Sequence, residues 1–115
     1  MINMFSDEFK ATWMIRTLGF WRVPMIHCCR PVVISISKTH SEIKIPLKRH
    51  TKNHLNSMYF GALTVGADIT AGILATAGIR ESNEKISLVF KDFHADFKLR
   101  AEGDVRFYCV DGEKI

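Results

Sequence analysis

Hydrophobic and polar positions divide this chain into segments of different period. From Met58 to Ile79 it runs 22 residues with one ionisable side chain, Asp68, near the middle. An apolar run of that length is a helix rather than a strand, and it predicts a central helix over 58–77. The stretches 31–37 (PVVISIS) and 41–48 (SEIKIPLK) are short and β-branched. In the second, Ile43, Ile45 and Leu47 alternate with Glu42, Lys44 and Lys48. The connector between them, Lys38 to His40, is hairpin-sized, so the two stretches are expected to pair as antiparallel strands. Pro46 lacks an amide N–H and points to an edge or a bulge.

Two further strands are expected after the helix. Ile86, Leu88 and Phe90 share one parity, whereas Phe93, Ala95, Phe97 and Leu99 share the other. A strand keeps one apolar face through such a change only with an extra residue inserted, which predicts a bulge near Lys91–Asp92. Glu102-Gly103-Asp104 then reads as a turn into a last strand, Val105 to Val110. At the other end, Ser6 is the expected N-cap of a helix over 5–19. Asp7 and Glu8 favour its positive end, and Phe5, Phe9, Trp13 and Leu18 give it an apolar side. That helix packs on the domain's edge or, anchored by Trp13, lies on a membrane surface; the acidic pair counts against the second option.

Helix, two strands, long helix, two strands is an α+β order: an antiparallel sheet with a buried helix against one face. At 115 residues, without repeats, low-complexity tracts or linkers, the chain is read as a single domain, 1–115. The first sixteen residues lack the basic start and apolar middle of a signal peptide. A net charge of +4 suits an anionic small ligand. It falls short of a nucleic-acid binder, and the aromatic residues follow the apolar phase rather than alternating with cations. Three cysteines, Cys28, Cys29 and Cys109, make no even disulfide framework, which favours a reducing cytoplasm.

The central run is long enough to span a bilayer. However, a mid-bilayer aspartate costs about 2.5–3.5 kcal/mol on insertion scales, and Gly61, Gly66 and Gly72 dilute the hydrophobicity. No membrane span is therefore expected, and protein surrounds the helix instead. At 100° per residue, Gly61, Thr64, Gly72 and Ala75 fall within about 40° of Asp68, while Tyr59, Leu63 and Ile73 point the opposite way. The carboxylate thus stands on a stripe of small residues. Either that stripe packs on the sheet with Asp68 hydrogen-bonded to a neighbour, or it lines a cleft with Asp68 facing a reacting group. Other chemistry-bearing groups are weaker candidates. His50 and His54 sit in a Lys-rich loop, and His27-Cys28-Cys29 would point apart in extended chain with no second cluster to complete a zinc site. His94 shares a strand face with Asp92 and Asp96.

A polar loop with an Asn, a Gly/Ala-rich helix carrying one Asp, and a long following strand ending in LRAEGDV resemble the hotdog-fold thioesterase superfamily. Asn53 and Asp68 match the fifteen-residue spacing of Asn and acid in its phenylacetate-pathway branch. The phrase NHLNSMYFGAL is nearer still to the hotdog group catalogued as a domain of unknown function. The resemblance covers roughly residues 30–110. It implies a curved antiparallel sheet wrapped around the central helix, with clefts between the subunits of a homodimer, or of a tetramer built from it. The implied activity is hydrolysis of acyl-CoA or a related thioester without metal or organic cofactor. Asp68 would be base or nucleophile, and Asn53 would position water or substrate across the subunit seam. The helix start, with Tyr59, Phe60, Gly61 and Thr64, would bind substrate and the oxyanion, and Arg49, Lys52 and Arg80 would meet the CoA phosphates. In that branch His-Gly-Gly stands where this chain has Tyr59-Phe60-Gly61, so a binding protein for acyl-CoA without turnover is the alternative. The fold ordinarily continues with two more strands beyond the equivalent of Val110, so either the sequence is a fragment or the chain is genuinely shortened and covers an exposed sheet edge by association or strand exchange.

Overall fold

The computed structural model describes residues 6–114, so Phe5 lies outside the described residues. Helix α1 spans Asp7–Trp21 and a short helix α2 spans Pro24–Cys29. Strands β1 (Val32–Ile36) and β2 (Ser41–Ile45) follow, then helix α3 (Phe60–Ser82) and strand β3 (Val105–Cys109). A single 3-10 turn covers Gly112–Lys114.

The start of α1 is the one expected: Ser6 Oγ accepts from the Phe9 N–H at 3.1 Å, with Asp7 and Glu8 in the first turn. Its end is not. The helix runs through Gly19 to Trp21, because Gly19 is buried where α2 crosses. A Cβ at Gly19 would lie 2.7 Å from the backbone nitrogen of His27. Hence the glycine serves close approach rather than termination. Pro24 at its first turn and Arg30 in the left-handed region (φ 52°) bound α2. The His27-Cys28-Cys29 stretch is therefore helical and not extended; six residues are too few for apolar periodicity to reveal a helix.

β1 and β2 pair antiparallel, with Val33 opposite Ile43 and Ile36 opposite Ser41, and a bulge falls between Val33 and Ser35. β3 adds to the other side of β2, with Ile43 opposite Phe107 and Ile45 opposite Val105. The order β1-β2-β3 makes β2 the central strand. Its alternation is the one read from sequence: Ile43 and Ile45 are 0% exposed, while Glu42 and Lys44 point to the outer face. Pro46 follows the last residue of β2 and removes no ladder bond.

One face of α3 packs on this sheet. Ala62, Gly66, Ile69, Thr70, Ile73 and Leu74 are buried, and Ile69, Ile73 and Leu74 join Ile15, Ile26, Val33 and Ile43 in the main core. A Cβ at Gly66 would overlap the Phe107 ring, so the glycine lets β3 seat against the helix. Against the expected 58–77, α3 starts at Phe60 and continues through Gly78 to Ser82, where Asn83 caps it in the left-handed region (φ 57°). Met58 belongs to the preceding loop, buried, with its N–H donating to Ala101 O at 2.8 Å.

Residues 84–104 run back along α3 without regular secondary structure, with bends at Lys91, Leu99 and Gly103. The strand expected over 86–99 has no ladder partner among the described residues, where only β3 follows the helix within the sheet. Its alternation was legible, but a strand exists only where a neighbour takes up its backbone groups. Here the neighbours are side chains of α3 rather than β3. Ile86 and Leu88 lie over Ala75, Gly78 and Ile79, and Phe97 to Ala101 lie over the start of the helix. The bulge expected at Lys91–Asp92 consequently has no ladder to interrupt.

Two glycine substitutions with opposite signs test this packing. Gly19→Ala is expected to destabilise by about 1–3 kcal/mol, because the obstacle is backbone. Gly78→Ala meets nothing within 4 Å and is expected to stabilise by about 1 kcal/mol through helix propensity. Urea denaturation of both variants measures the two changes.

Candidate active site

Because the sheet takes one side of α3, the stripe of small residues is left on the other. Gly61, Thr64, Asp68, Gly72 and Ala75 are all half-buried and face away from β1–β3. Of the two options for the stripe, packing on the sheet is thereby excluded. Asp68 lies beside Gly72, and a Cβ built there would stand 3.8 Å from Asp68 Oδ1 and 3.9 Å from Leu88 Cδ2. The returning segment thus borders the carboxylate. No hydrogen bond or ion pair to Asp68 occurs among the described residues, and burial pushes its carboxyl above the ordinary aspartate value of 3.8. A half-buried, unpaired carboxylate of this kind is a stronger base than a solvated one.

The start of α3 is built by the loop 46–59. Thr51, 1% exposed, ties this loop internally: its hydroxyl donates to Pro46 O at 2.7 Å and accepts from Lys48 N–H at 3.0 Å. Asn53 folds the next turn, its Oδ1 accepting from Leu55 N–H (2.9 Å) and Ser57 N–H (3.1 Å). The side-chain oxygen is therefore committed to the loop, and the Nδ2 amide is the group Asn53 has left to offer. Tyr59 caps α3 through its backbone carbonyl, which accepts from Ala62 and Leu63. The amides of Phe60 and Gly61, the first two of the helix, make no hydrogen bond among the described residues. Such amides are the donors a helix start presents to an anion.

A cavity of about 430 Å³ opens at this end of the helix. Asn53, Tyr59 and Phe60 line it, whereas Gly61 and Thr64 do not, and Phe97, Lys98 and Arg100 of the returning segment complete the wall. Ser57 also lines it, and sequence reasoning missed it. This residue is 1% exposed, and its Oγ has no hydrogen-bond partner among the described residues. A buried hydroxyl left unpaired costs about 1–3 kcal/mol, a cost that a bound polar group would remove. No spacing rule singles out such a serine; only the closure of the loop buries it.

Asp68 is not among the lining residues. Eight positions separate it from Phe60, about 12 Å along the helix axis. Within one protomer the Asn53 amide and the Asp68 carboxylate are thus not brought together. Thr64 donates its hydroxyl to Phe60 O at 2.9 Å. Arg49 and Lys52 are exposed on the loop ahead of α3, whereas Arg80 is exposed in its last turn, roughly 30 Å away along the axis. The three cations therefore do not form one cluster in one protomer. Lys98 and Arg100 reach the cavity instead, with Arg100 paired to Glu102 at 2.7 Å. Among the described residues no group of three His, Cys, Asp or Glu is placed to hold a metal. Burial, with Cys28 beside it, pushes the Cys29 thiol up, away from nucleophilic character.

Solved structures establish the fold. The chain is similar to a protein of unknown function from Chlorobaculum tepidum (TM-score 0.76, 14% identity), covering 90% of this chain and 63% of that one. It is also similar to a protein of unknown function from Pseudomonas aeruginosa, described as a probable thioesterase (TM-score 0.71, 23% identity), covering 90% of this chain and 68% of that one. A structural-genomics protein matches with a TM-score of 0.69 and 18% identity, over 95% of this chain and 77% of that one. This chain accordingly spans less than two thirds of the length of the Chlorobaculum protein. No match is found among curated protein sequences. The fold is the hotdog fold expected from sequence, an α+β arrangement with its antiparallel sheet against a long helix. Residues 11–110 match the family described as a domain of unknown function, DUF4442, and with that match over most of its length the chain belongs to this family.

Proposed function

We propose that the chain hydrolyses acyl-CoA or a related acyl thioester, as a homodimer in the cytoplasm with its active site at the subunit seam. The observation that carries this reading is Asp68: a half-buried carboxylate without a partner among the described residues, its pKa raised by burial, on a stripe of small residues turned away from the sheet. In the reaction Asp68 takes a proton from water, and the hydroxide oxygen bonds to the thioester carbonyl carbon. The C–S bond then breaks, and the thiolate leaves as the thiol after accepting that proton. The amides of Phe60 and Gly61, with Ser57 Oγ, hold the developing oxyanion and Asn53 Nδ2 orients the water, all of them from the neighbouring subunit, whose helix start meets Asp68 across the seam. The second subunit is needed because Asn53 and Asp68 of one protomer stand apart. Arg49 and Lys52, and Arg80 of the facing subunit, meet the CoA phosphates.

A second reading keeps the fold and the ligand but not the turnover. It is favoured by the Tyr59 ring, which lies over Gly61 and packs on Phe60 at 4.9 Å between centroids, crowding the helix start. An acyl-CoA panel assayed with wild type and Asp68→Asn separates the two. Hydrolysis reduced about 10²–10⁴-fold in the variant is the expected outcome. Binding of CoA esters without hydrolysis by wild type would leave only the second reading.

Activity should fall as pH drops through the folded pKa of Asp68, which lies above 3.8. The stability effect has the opposite sense. A carboxyl whose pKa is raised on folding is protonated more readily in the folded state, so stability declines as pH rises through the window between the unfolded and folded values. Asp68→Asn is therefore expected to raise Tm at neutral pH, with the difference vanishing below about pH 3.8. Thermal melts of both proteins across pH check this without any substrate.

A further inference from the structure

Asp68 stands at the mouth of a second cavity. Leu88 borders the carboxylate across Gly72, and the same side chain lines a cavity of about 390 Å³ between α3 and the returning segment. Ala75, Gly78, Ile79 and Ser82 form its helix wall, with Glu84 and Ile86 opposite. At 100° per residue Gly72, Ala75, Ile79 and Ser82 all lie within about 40° of Asp68, so this wall continues the face that carries the acid. From Asp68 to Ser82 the face runs about 21 Å along the axis. It is open toward its far end. A Cβ at Gly78 meets nothing within 4 Å, and Ile86 and Leu88 remain 52% and 44% exposed although they fold back on the helix.

Charge and position together select the occupant. The cavity at the helix start is lined by Lys98 and Arg100 and by no acid, and the free amides there favour an anion. No Lys, Arg or His lines the second cavity, and its charged lining residue is Glu84. Arg80 lies about 120° round the helix from Asp68 and, like Lys85, is absent from the lining, so a phosphate held by Arg80 stays outside. This end of the face thus offers a phosphate no cation and offers an apolar group Ile79, Ile86 and Leu88. With the reacting carbonyl at Asp68, as the hydrolase reading places it, the acyl chain has to leave along that face. Toward the neighbouring helix start the surroundings are polar and cationic; toward Ala75 and Ile79 they are apolar. An apolar cavity of about 150 Å³ holds benzene, so about 390 Å³ has room for a chain of roughly a dozen carbons.

We propose that the groove from Asp68 to Ser82 binds the acyl chain of the substrate, which makes unbranched medium-chain acyl thioesters the preferred class. The assignment rests on the hydrolase reading for the place of the carbonyl, but its test does not depend on turnover. Butyryl-, octanoyl- and dodecanoyl-CoA are compared in kcat/KM with wild type, and in affinity by isothermal titration with Asp68→Asn. Dodecanoyl-CoA is expected to exceed butyryl-CoA about tenfold or more in both. Gly78→Leu fills the groove from a position where a Cβ meets no neighbour, and Ile86→Ser removes apolar wall from the opposite side. Each should lower the dodecanoyl-to-butyryl ratio about fivefold or more, with far-UV circular dichroism unchanged; if Gly78→Leu loses helicity, Ile86→Ser alone serves. Equal kcat/KM and equal affinity across the three esters would overturn the proposal, as would variants that keep the wild-type ratio. Binding graded by chain length without hydrolysis would sink the hydrolase reading and leave the groove assigned. Dissociation of a wild-type dimer by Gly78→Leu would give the groove to a second copy and overturn the assignment.

Discussion

The seat of α3 on the sheet is the constraint from which the rest of this structure follows. It is made by small groups: Gly66 admits the Phe107 ring, and Ser41 Oγ donates to Thr70 O at 2.5 Å, joining the start of β2 to the middle of the helix. Around these contacts Ile43, Ile69, Ile73 and Leu74 close the main core, and Ile45, Met58 and Ala62 a second one. A three-stranded sheet covers only one side of a helix. The other side has to be apolar enough to stay packed but small enough to let something approach, and it is on that side that the lone carboxylate stands.

That division accounts for where polar groups are satisfied and where they are not. On the sheet side, Thr70 donates to Gly66 O and Thr12 Oγ1 accepts from Val33 N–H, so the buried hydroxyls pair. On the far side and at the helix start, Asp68, Ser57 Oγ and the Phe60 and Gly61 amides have no such partners among the described residues; buried His27 Nδ1 on α2 is likewise without one. Unpaired polar groups are costly in a closed core, and those at one end and one face of α3 serve a site that receives a ligand. The outer edge of β3 and the run 84–104 add unpaired backbone near the same helix, and such edges invite pairing.

Much of the scaffold was legible in single residues. The Ser6 cap, the alternation of Ile43 and Ile45 and the apolar run around Asp68 each follow from a local rule of capping, pleat or helical period. Helix ends were less so. The expected ends fall at Gly19 and just before Gly78, yet one glycine is a contact between helices and the other lies on an open helical surface; a glycine's role depends on its neighbour in space. In α2 the periodicity was too short to see. The candidate site was legible in part. Asn53, Tyr59 and Phe60 line the cavity, but Ser57 enters it only because the loop closes over it, and Lys98 and Arg100 only because the segment 84–104 returns along α3.

Sequence alone determined the class of the fold, the pairing of β1 with β2, the long central helix and the isolation of Asp68 on a stripe of small residues. These depend on the order and period of side chains, which chain position records directly. Tertiary structure decided which face of α3 meets the sheet, that residues 86–99 join no ladder, and that the aromatic side of α1 faces outward. Each of those depends on which surfaces compete for burial. A chain with more apolar faces than one three-stranded sheet can cover leaves that choice to packing.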